Sequence, residues 1–439
     1  MRPTKESILK QANEEVVAFL KLQFTDILGS FKSLEVPVNQ LEKALDNKLL
    51  FDGSSISGFA QIQNSDMLLY PDLNSWVITK EEGYKVGHLV CDIYNSDKTP
   101  FEGDPRGILK KVLKEAAQDG FTVNVGPEPE FFLFKLDGEG NLTKNLNDNA
   151  NYFSQGPIDS GEKVRRDIAV ALQKAGFVVE ALHHEVAPGQ HEVSFKYSDA
   201  LTTADRIQSF KHIVKQVAAE HGLHATFMPK PMARINGSGM HCNMSLFKDG
   251  ENAFYDEKDS LQLSDLARHF IAGVLKHARA NAAITNPTVN SYRRLVPGYE
   301  APVNIAWSTS NRSCMIRIPA SRGMGTRVEV RNPDPSANPY LALAVIIKAG
   351  LDGIKNKLEA PKEQKENLYK MTEDTKQELF IGSLPENLKE AIQELEKDEL
   401  ILSSLGEHAA KNFISLKEKE WKEYILQVSE WQTNQYIGL

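Results

Sequence analysis

Residues 126–134, GPEPEFFLF, set Glu128 and Glu130 two positions apart and run straight into an apolar block. On a strand, residues i and i+2 share a face. An extended segment here therefore holds two like charges side by side, next to Phe131, Leu133 and Phe134. An unpaired carboxylate against apolar surface is costly. Two arrangements relieve that cost: an edge strand, where both carboxylates stay solvated and Pro129 is tolerated, or a cation lying between them. The segment alone leaves both open.

Further clusters of the same kind follow. HHEVAPGQHEV contains Glu185 and Glu192 on either side of the turn APGQ, so a hairpin would bring the two carboxylates onto neighbouring strands. His183, His184 and His191 in the same segment read as hydrogen-bonded residues rather than ligands. NGSGMHCNMSLF opens with a flexible loop, Asn236 to Gly239, from which a strand leaves with His241, Asn243 and Ser245 alternating along it. NSYRRLVPGYEAP sets Arg293 and Arg294 before a Pro-Gly turn and Glu300 after it, and a loop of this kind can close over a site. NRSCMIRIP contributes Arg312 and Arg317. RVEVR puts Arg327, Glu329 and Arg331 on one strand face, with Val328 and Val330 turned to the core.

Each cluster has a plain structural explanation, but together they point to chemistry. Glu128, Glu130, Glu185, Glu192 and Glu329 with His241 form an oxygen-rich donor set with one imidazole, which suits Mg²⁺ or Mn²⁺ rather than structural zinc. Strand arginines suit phosphate, which they grip bidentately. Metal ions with arginines are how an enzyme stabilises a phosphoryl group in flight. The chain has no G-x-x-x-x-G-K-[ST] loop and no kinase signature. The residues themselves therefore lead to a metal-dependent enzyme of phosphoryl transfer on an unusual nucleotide-binding sheet.

At 439 residues the chain is too long for one compact core. A division into 1–103 and 104–439 is expected at TPFEGDPRG, where Asp104 is a good N-cap and Pro105 suits the first helical position. Strand-like and helical runs alternate before this boundary. Beyond it strands are separated by long helices, residues 137–163 read as a long exposed loop, and the stretch from Pro339 reads as nearly all helical. The net charge of −8 disfavours non-specific binding of nucleic acid or anionic membrane. Cys91, Cys242 and Cys314 suggest neither a disulfide framework nor a zinc site. With no signal peptide and no run of about 18 apolar residues, a cytoplasmic protein is expected.

FDGSSISGF, GPEPEFFLF, HHEVAPGQHEV, NGSGMHCNMSL, NSYRRLVPGYEAP, NRSCMIRIP and RVEVRNPDPSANPYLAL, in this order, resemble type I glutamine synthetase, in particular the shorter form of Gram-positive bacteria. The resemblance implies an α+β fold: a small N-terminal β-grasp-like domain and a large α/β catalytic domain with a curved antiparallel sheet and C-terminal helices. It implies ATP-dependent ligation of ammonia to the γ-carboxylate of glutamate through γ-glutamyl phosphate (EC 6.3.1.2), with two or more Mg²⁺ or Mn²⁺ per subunit. Glu130, Glu185 and Glu192 match ligands of one metal; Glu128, His241 and Glu329 match ligands of the other. Asn236, Gly237, Arg294, Arg312 and Arg331 match contacts to glutamate or its phosphorylated form. Glu180, Ser245, Arg317 and Arg327 match nucleotide or phosphate contacts. Asp52, with Ser55 nearby, matches the acid that deprotonates ammonium from a neighbouring subunit; Tyr152 matches its aromatic partner and Glu300 the flap residue.

The resemblance also implies sites between subunits of a dodecamer of two stacked hexameric rings, and a nitrogen-responsive repressor protein as partner. Gln61 and Ser57 depart from the residues tied to glutamine feedback in the Gram-positive form, and the sequence after Tyr369 lacks what adenylylation needs. Three rivals remain at this level. A γ-glutamyl-amine or polyamine ligase tends to lose the acid at Asp52, a silent regulatory member would have lost metal ligands, and a guanidino-kinase-like phosphotransferase has no reason to keep the Asp52 segment.

Overall fold

Leu20, Leu22 and Phe24 alternate along the strand Phe19–Thr25 and turn one continuous apolar edge inward. That edge organises the first domain. The computed structural model describes residues 2–59 and 65–439, so Gln61 lies outside the described residues. The helix Lys5–Glu14, capped by Thr4 with Ser7 in a reciprocal capping box, lays Ile8 and Ala12 against Leu20. The strands are β1 (Phe19–Thr25), β2 (Phe31–Pro37), β3 (Leu50–Asp52), β4 (Asp66–Pro71), β5 (Val77–Glu81) and β6 (Tyr84–Asn95). They pair in the order β2-β1-β6-β4-β3, with β5 also on β6; the β1–β6 pair is parallel and the rest antiparallel.

The helix Pro105–Gln118 begins where Asp104 and Pro105 signalled, with the Asp104 carboxylate accepting from the Arg106 amide. Twelve strands among the described residues then form the second sheet: β7 (Thr122–Leu136), β8 (Leu142–Leu146), β9 (Val179–His184), β10 (Gln190–Phe195), β11 (Ser198–Asp199), β12 (Leu223–Thr226), β13 (Met240–Lys248), β14 (Glu251–Asn252), β15 (Asn304–Ser308), β16 (Cys314–Arg317), β17 (Val328–Val330) and β18 (Gly382–Ser383). The main path is β18-β15-β16-β17-β13-β7-β10-β9. β7 changes partners along its length: Thr122 to Pro129 pair with β13, and Glu130 to Phe132 pair with β10. Pro129, which has no N–H to give a ladder, sits where one partner is exchanged for the other. It therefore marks a switch on an inner strand rather than a solvated edge.

The helix Pro339–Lys355 is buried nearly all round and forms the axis of the main core. It crosses the helix Asp265–Lys276 so closely that a Cβ on Gly273 would lie 2.1 Å from the Ala349 carbonyl oxygen. The chain beyond is less helical than its spacing suggested. Between Asn356 and Asn387 only short turns of helix and β18 form, and long helices resume at Leu388–Lys397 and Glu407–Ile425. The stretch 137–163 also differs from the exposed loop expected. It contains β8, and Asn147, Ala150 and Asp159 within it are buried, because its chain folds back under the turn between β9 and β10.

Arg106 ties the two domains together. Its guanidinium, 3% exposed, donates to Asp72 and Asp92 of the first domain at 2.6 Å each. It also forks onto Asp205 of the helix Ala200–Glu220 at 2.9 Å through Nε and Nη2.

Candidate active site

Strand register gathers the acidic side chains. β13 places His241 opposite Glu128, β10 places Glu192 opposite Glu130, and β16 places Arg317 opposite Glu329. Opposed residues of antiparallel strands bring their side chains within contact. His241 Nδ1 accordingly lies 3.2 Å from Glu128 Oε2 and 3.4 Å from Glu329 Oε1. Glu185, one residue past the end of β9, meets Glu192 and His183, with His183 Nε2 2.7 Å from Glu185 Oε1. Donor atoms of Glu128, His241 and Glu329 all lie within 4.8 Å of one another, and so do those of His183, Glu185 and Glu192. Glu130 stands between the groups, its Oε2 accepting from Gln190 Nε2 at 2.8 Å and from the Gly239 amide at 2.9 Å.

The chain itself leaves this negative charge unbalanced. Burial and then the charge of Glu185 push the Glu130 carboxyl up to about 8. Burial, with Glu128, Glu130 and Glu185 adding repulsion, pushes Glu192 up to about 9. Glu128 goes the other way: burial works against its charge, but His241, Asn243 and Arg317 outweigh it and hold it at about 2. Glu329 is buried, and its Oε2 pairs with Arg317 Nε at 2.5 Å. Crowded carboxylates with only the imidazoles of His241 and His183 among them fit a hard divalent cation. Sulfur is absent from both groups of donors.

The remaining residues singled out in the sequence sort into three places. Around the rim, Asn236 Nδ2 donates to Glu300 Oε2 at 2.9 Å, and Glu300 sits at φ 58° on its loop. Tyr369, set aside as unmodified, donates its hydroxyl to Ala301 O at 2.8 Å and so tethers that loop. Gly237 passes so close to Pro229 that a Cβ would stand 2.2 Å from its carbonyl oxygen. Arg294 is buried and gives Nη1 to Asn332 O at 2.7 Å and Nη2 to Arg331 O at 3.2 Å. Arg331 reaches Glu329 at 3.4 Å and the Arg312 carbonyl. Tyr152 is half exposed with its ring 5.7 Å from that of His183; partial burial first, then the charge of Glu185, raises its hydroxyl pKa while Arg312 opposes.

Beside Glu128 opens a cavity of about 310 Å³ that is also lined by Glu180, Asn243, Ser245 and Arg327. Arg327 Nε donates to Asn243 Oδ1 at 3.0 Å, and Asn243 donates to Glu128 Oε1 at 3.0 Å. Arg317 is not among its lining residues. Asp52 and Ser55 are elsewhere. They are exposed at the end of β3, where Asp52 accepts from the Ser54 amide and hydroxyl, and none of the described hydrogen bonds or ion pairs links them to the acidic groups.

Sequence reasoning set His183 aside with its neighbours, yet it lies among the acidic residues. Its position two residues before Glu185 was the available signal, as i and i+2 share a face. His184 and His191 do behave as hydrogen-bonded residues. They group with Asp148, but His184 contacts Glu185 O at 2.6 Å and Asp148 Oδ1 at 3.0 Å, while His191 contacts Arg165 and Asn147.

Known proteins place the whole chain in one family. Residues 102–436 match the family described as glutamine synthetase, catalytic domain, and residues 16–96 match glutamine synthetase, beta-Grasp domain. The chain belongs to the glutamine synthetase family. It is 57% identical over 438 residues to the glutamine synthetase of Staphylococcus aureus (strain Mu50), covering 99% of this chain and 98% of that protein. It is 56% identical, with the same coverage, to the enzyme of a Staphylococcus epidermidis strain. Among solved structures, a GmaS–ADP complex superposes with a TM-score of 0.90 at 34% identity, covering 98% of this chain and 99% of that one. Plasmodium falciparum glutamine synthetase gives 0.87 at 28% identity, covering 99% and 98%. Full-length similarity at this level makes the chain an ATP-dependent glutamate–ammonia ligase of a family that uses divalent metal, as its motifs implied. The β-grasp and catalytic parts of the expected α+β fold are both present. Among the described residues, no helix is long and apolar enough to cross a membrane.

Proposed function

We propose that Glu130, Glu185 and Glu192 hold one divalent ion and Glu128, His241 and Glu329 a second, and that glutamate and ATP meet between them. The observation that supports this is that Glu128, His241 and Glu329 gather in one group and Glu185 and Glu192 in another, with Glu130 opposite Glu192. A carboxylate is a poor electrophile, and phosphorylation supplies it with a leaving group. Bound Mg²⁺ or Mn²⁺ supplies neutralisation of the charge that would otherwise keep carboxylate and triphosphate apart. Glu180, Ser245 and Arg327 line the cavity for the nucleotide, and Arg317, beside Glu329, faces the phosphates. Asn236, Gly237, Arg294, Arg312 and Arg331 form the wall that receives glutamate. Arg312 and Arg331 offset the charge of the γ-phosphoryl group. Glu300, held by Asn236, closes its loop to keep water from the acyl phosphate.

Ammonium is not nucleophilic until a base takes its proton. Asp52 is the base in this reading, with Ser55 beside it, delivered by the adjacent subunit next to Tyr152. Their exposure, away from their own chain's carboxylates, supports that origin. It implies a ring that is complete only when each subunit serves the next. Two hexameric rings stacked through the C-terminal helices suit the exposed Leu426, Val428, Trp431 and Ile437. A cytoplasmic setting and a nitrogen-responsive repressor partner belong to this reading through the family alone. The test offers ammonium, methylamine and polyamines in turn with glutamate and ATP. Glutamine formation with ammonium at least about 100-fold more efficient than any amide from the others is expected; preference for an amine would overturn the assignment.

A further inference from the structure

The turn that joins β9 to β10 carries ligand candidates on both flanks, and the chain braces it from behind. Asp148, with 2% of its side chain exposed, accepts at Oδ1 from the Gly189 amide and from His184 Nε2, each at 3.0 Å. The other ring nitrogen of His184, itself fully buried, donates to the carbonyl of Glu185 at 2.6 Å. One carboxylate thus grips the start of the turn through an imidazole and its end directly. Gly189 is held at φ 65°, a conformation natural to glycine, and a Cβ there would be pressed to 3.0 Å from Leu146. Gln190, the first residue of β10, passes forward to the third carboxylate. Its Nε2 donates to Glu130 Oε2 at 2.8 Å and to Gly237 O at 3.1 Å, while Oε1 accepts from the Ala187 amide at 3.3 Å.

We infer that Asp148, acting through His184 and Gly189, and Gln190 are positioning residues that hold Glu130, Glu185 and Glu192 in the spacing one divalent ion requires. The inference rests on the proposed assignment of those three carboxylates to a common ion. Its physical basis is repulsion. The three crowd together without an equivalent cationic partner of their own, so an unbraced turn would relax outward and lose the preformed site. Partners behind metal ligands that fix their orientation typically change metal affinity by about 10–100-fold when removed. The brace touches one group of carboxylates only. Glu128, His241 and Glu329 lie on β7, β13 and β17 and make no hydrogen bond to Asp148, His184 or Gln190. Its loss should therefore weaken one of two ions.

Mn²⁺ binding to the full-length enzyme, followed by the electron-spin resonance of free Mn²⁺ without substrates, separates the outcomes. Asp148→Ala should weaken one of two classes of site about 10–100-fold and leave the other within about twofold. Asp148→Asn keeps the shape and one acceptor oxygen, and serves if the alanine variant does not fold; it should weaken the same class less. Gln190→Leu should act on that class too. Glu192→Gln in parallel identifies the class: if it leaves Mn²⁺ binding unchanged, the assignment of the three carboxylates falls. If Glu192→Gln weakens one class while Asp148→Asn, Asp148→Ala and Gln190→Leu leave it unchanged, or weaken both classes equally, the positioning role falls and the assignment stands.

Discussion

Two clusters of carboxylates in this chain solve the same electrostatic problem in opposite ways. Around Arg106, Asp72, Asp92 and Asp205 crowd into the domain interface, and the guanidinium in their midst answers all three with hydrogen bonds of 2.6–2.9 Å. Burial raises the Asp72 carboxyl pKa, but Arg106 outweighs it and the net shift is downward; at Asp205 burial wins and the shift is upward despite Arg106. Around Glu130 and Glu192 the chain supplies carboxylates and withholds an equal cation, and both are pushed up into the range of about 8 to 9. Where the counter-charge is covalent, the cluster is a rivet. Where it is missing, the cluster is, in the reading proposed above, a socket for an ion from solution. Charge density alone does not separate a structural centre from a functional one; the location of the compensating charge does.

The contrast can be broken by experiment. Arg106→Met should remove the rivet and leave three carboxylates facing one another, at a loss of about 3–5 kcal/mol of stability, read by denaturant unfolding. A loss under about 1 kcal/mol would put the interface elsewhere. Glu192→Gln should lower glutamine formation by about 100-fold or more but leave metal-free stability unchanged or higher, because it removes repulsion. A metal-free protein that melts earlier would show that the socket also supports the fold.

A third variant tests the rivet by pH. Burial, then the charge of Asp92, pushes the Asp104 carboxyl from its ordinary 3.8 up to about 7. Between those values the folded chain keeps a proton that the unfolded chain has released, so this group's contribution falls as pH rises from about 4 to about 7. Asp104→Asn should flatten that fall by on the order of 2 kcal/mol, measured as the difference in unfolding free energy between pH 5 and pH 7.5. An unchanged slope would mean that the carboxyl titrates normally. Lys110, 45% exposed, pairs with Asp92 at 2.6 Å on the rim of the same cluster. Lys110→Ala should cost under about 1 kcal/mol, and a larger loss would extend the rivet to the surface.

Much of the fold was legible because its signals are local. Asp104 with Pro105, and the alternation of RVEVR and of HCNMSLF, each depend on residues within one turn or one strand, and each forms as read. The misreadings fall where local pattern and tertiary context part. Residues 137–163 are rich in Gly, Asn and Asp and so read as solvated, but Asp148 and Asp159 are drawn under the sheet by His184 and Arg165. The helical spacing after Pro339 is interrupted between Asn356 and Asn387, where Glu363 and Gln364 bond instead to the segment around Trp307 and Thr309. Pro129, where the sequence left a solvated edge and a cation-bridged pair both open, lies where an inner strand changes partners.

The sequence by itself determined which side chains share a face, since a strand repeats every two residues whatever lies beside it. That was enough to set Glu128 with Glu130, and Arg327 with Glu329 and Arg331, and its motifs were enough to place the chain in its family. Only the tertiary structure decided which faces meet. His241 opposite Glu128, Arg106 among carboxylates up to 99 residues away, and Asp148 behind Glu185 are matters of register and packing. Those are set by burial across the whole sheet rather than by any neighbour in the chain.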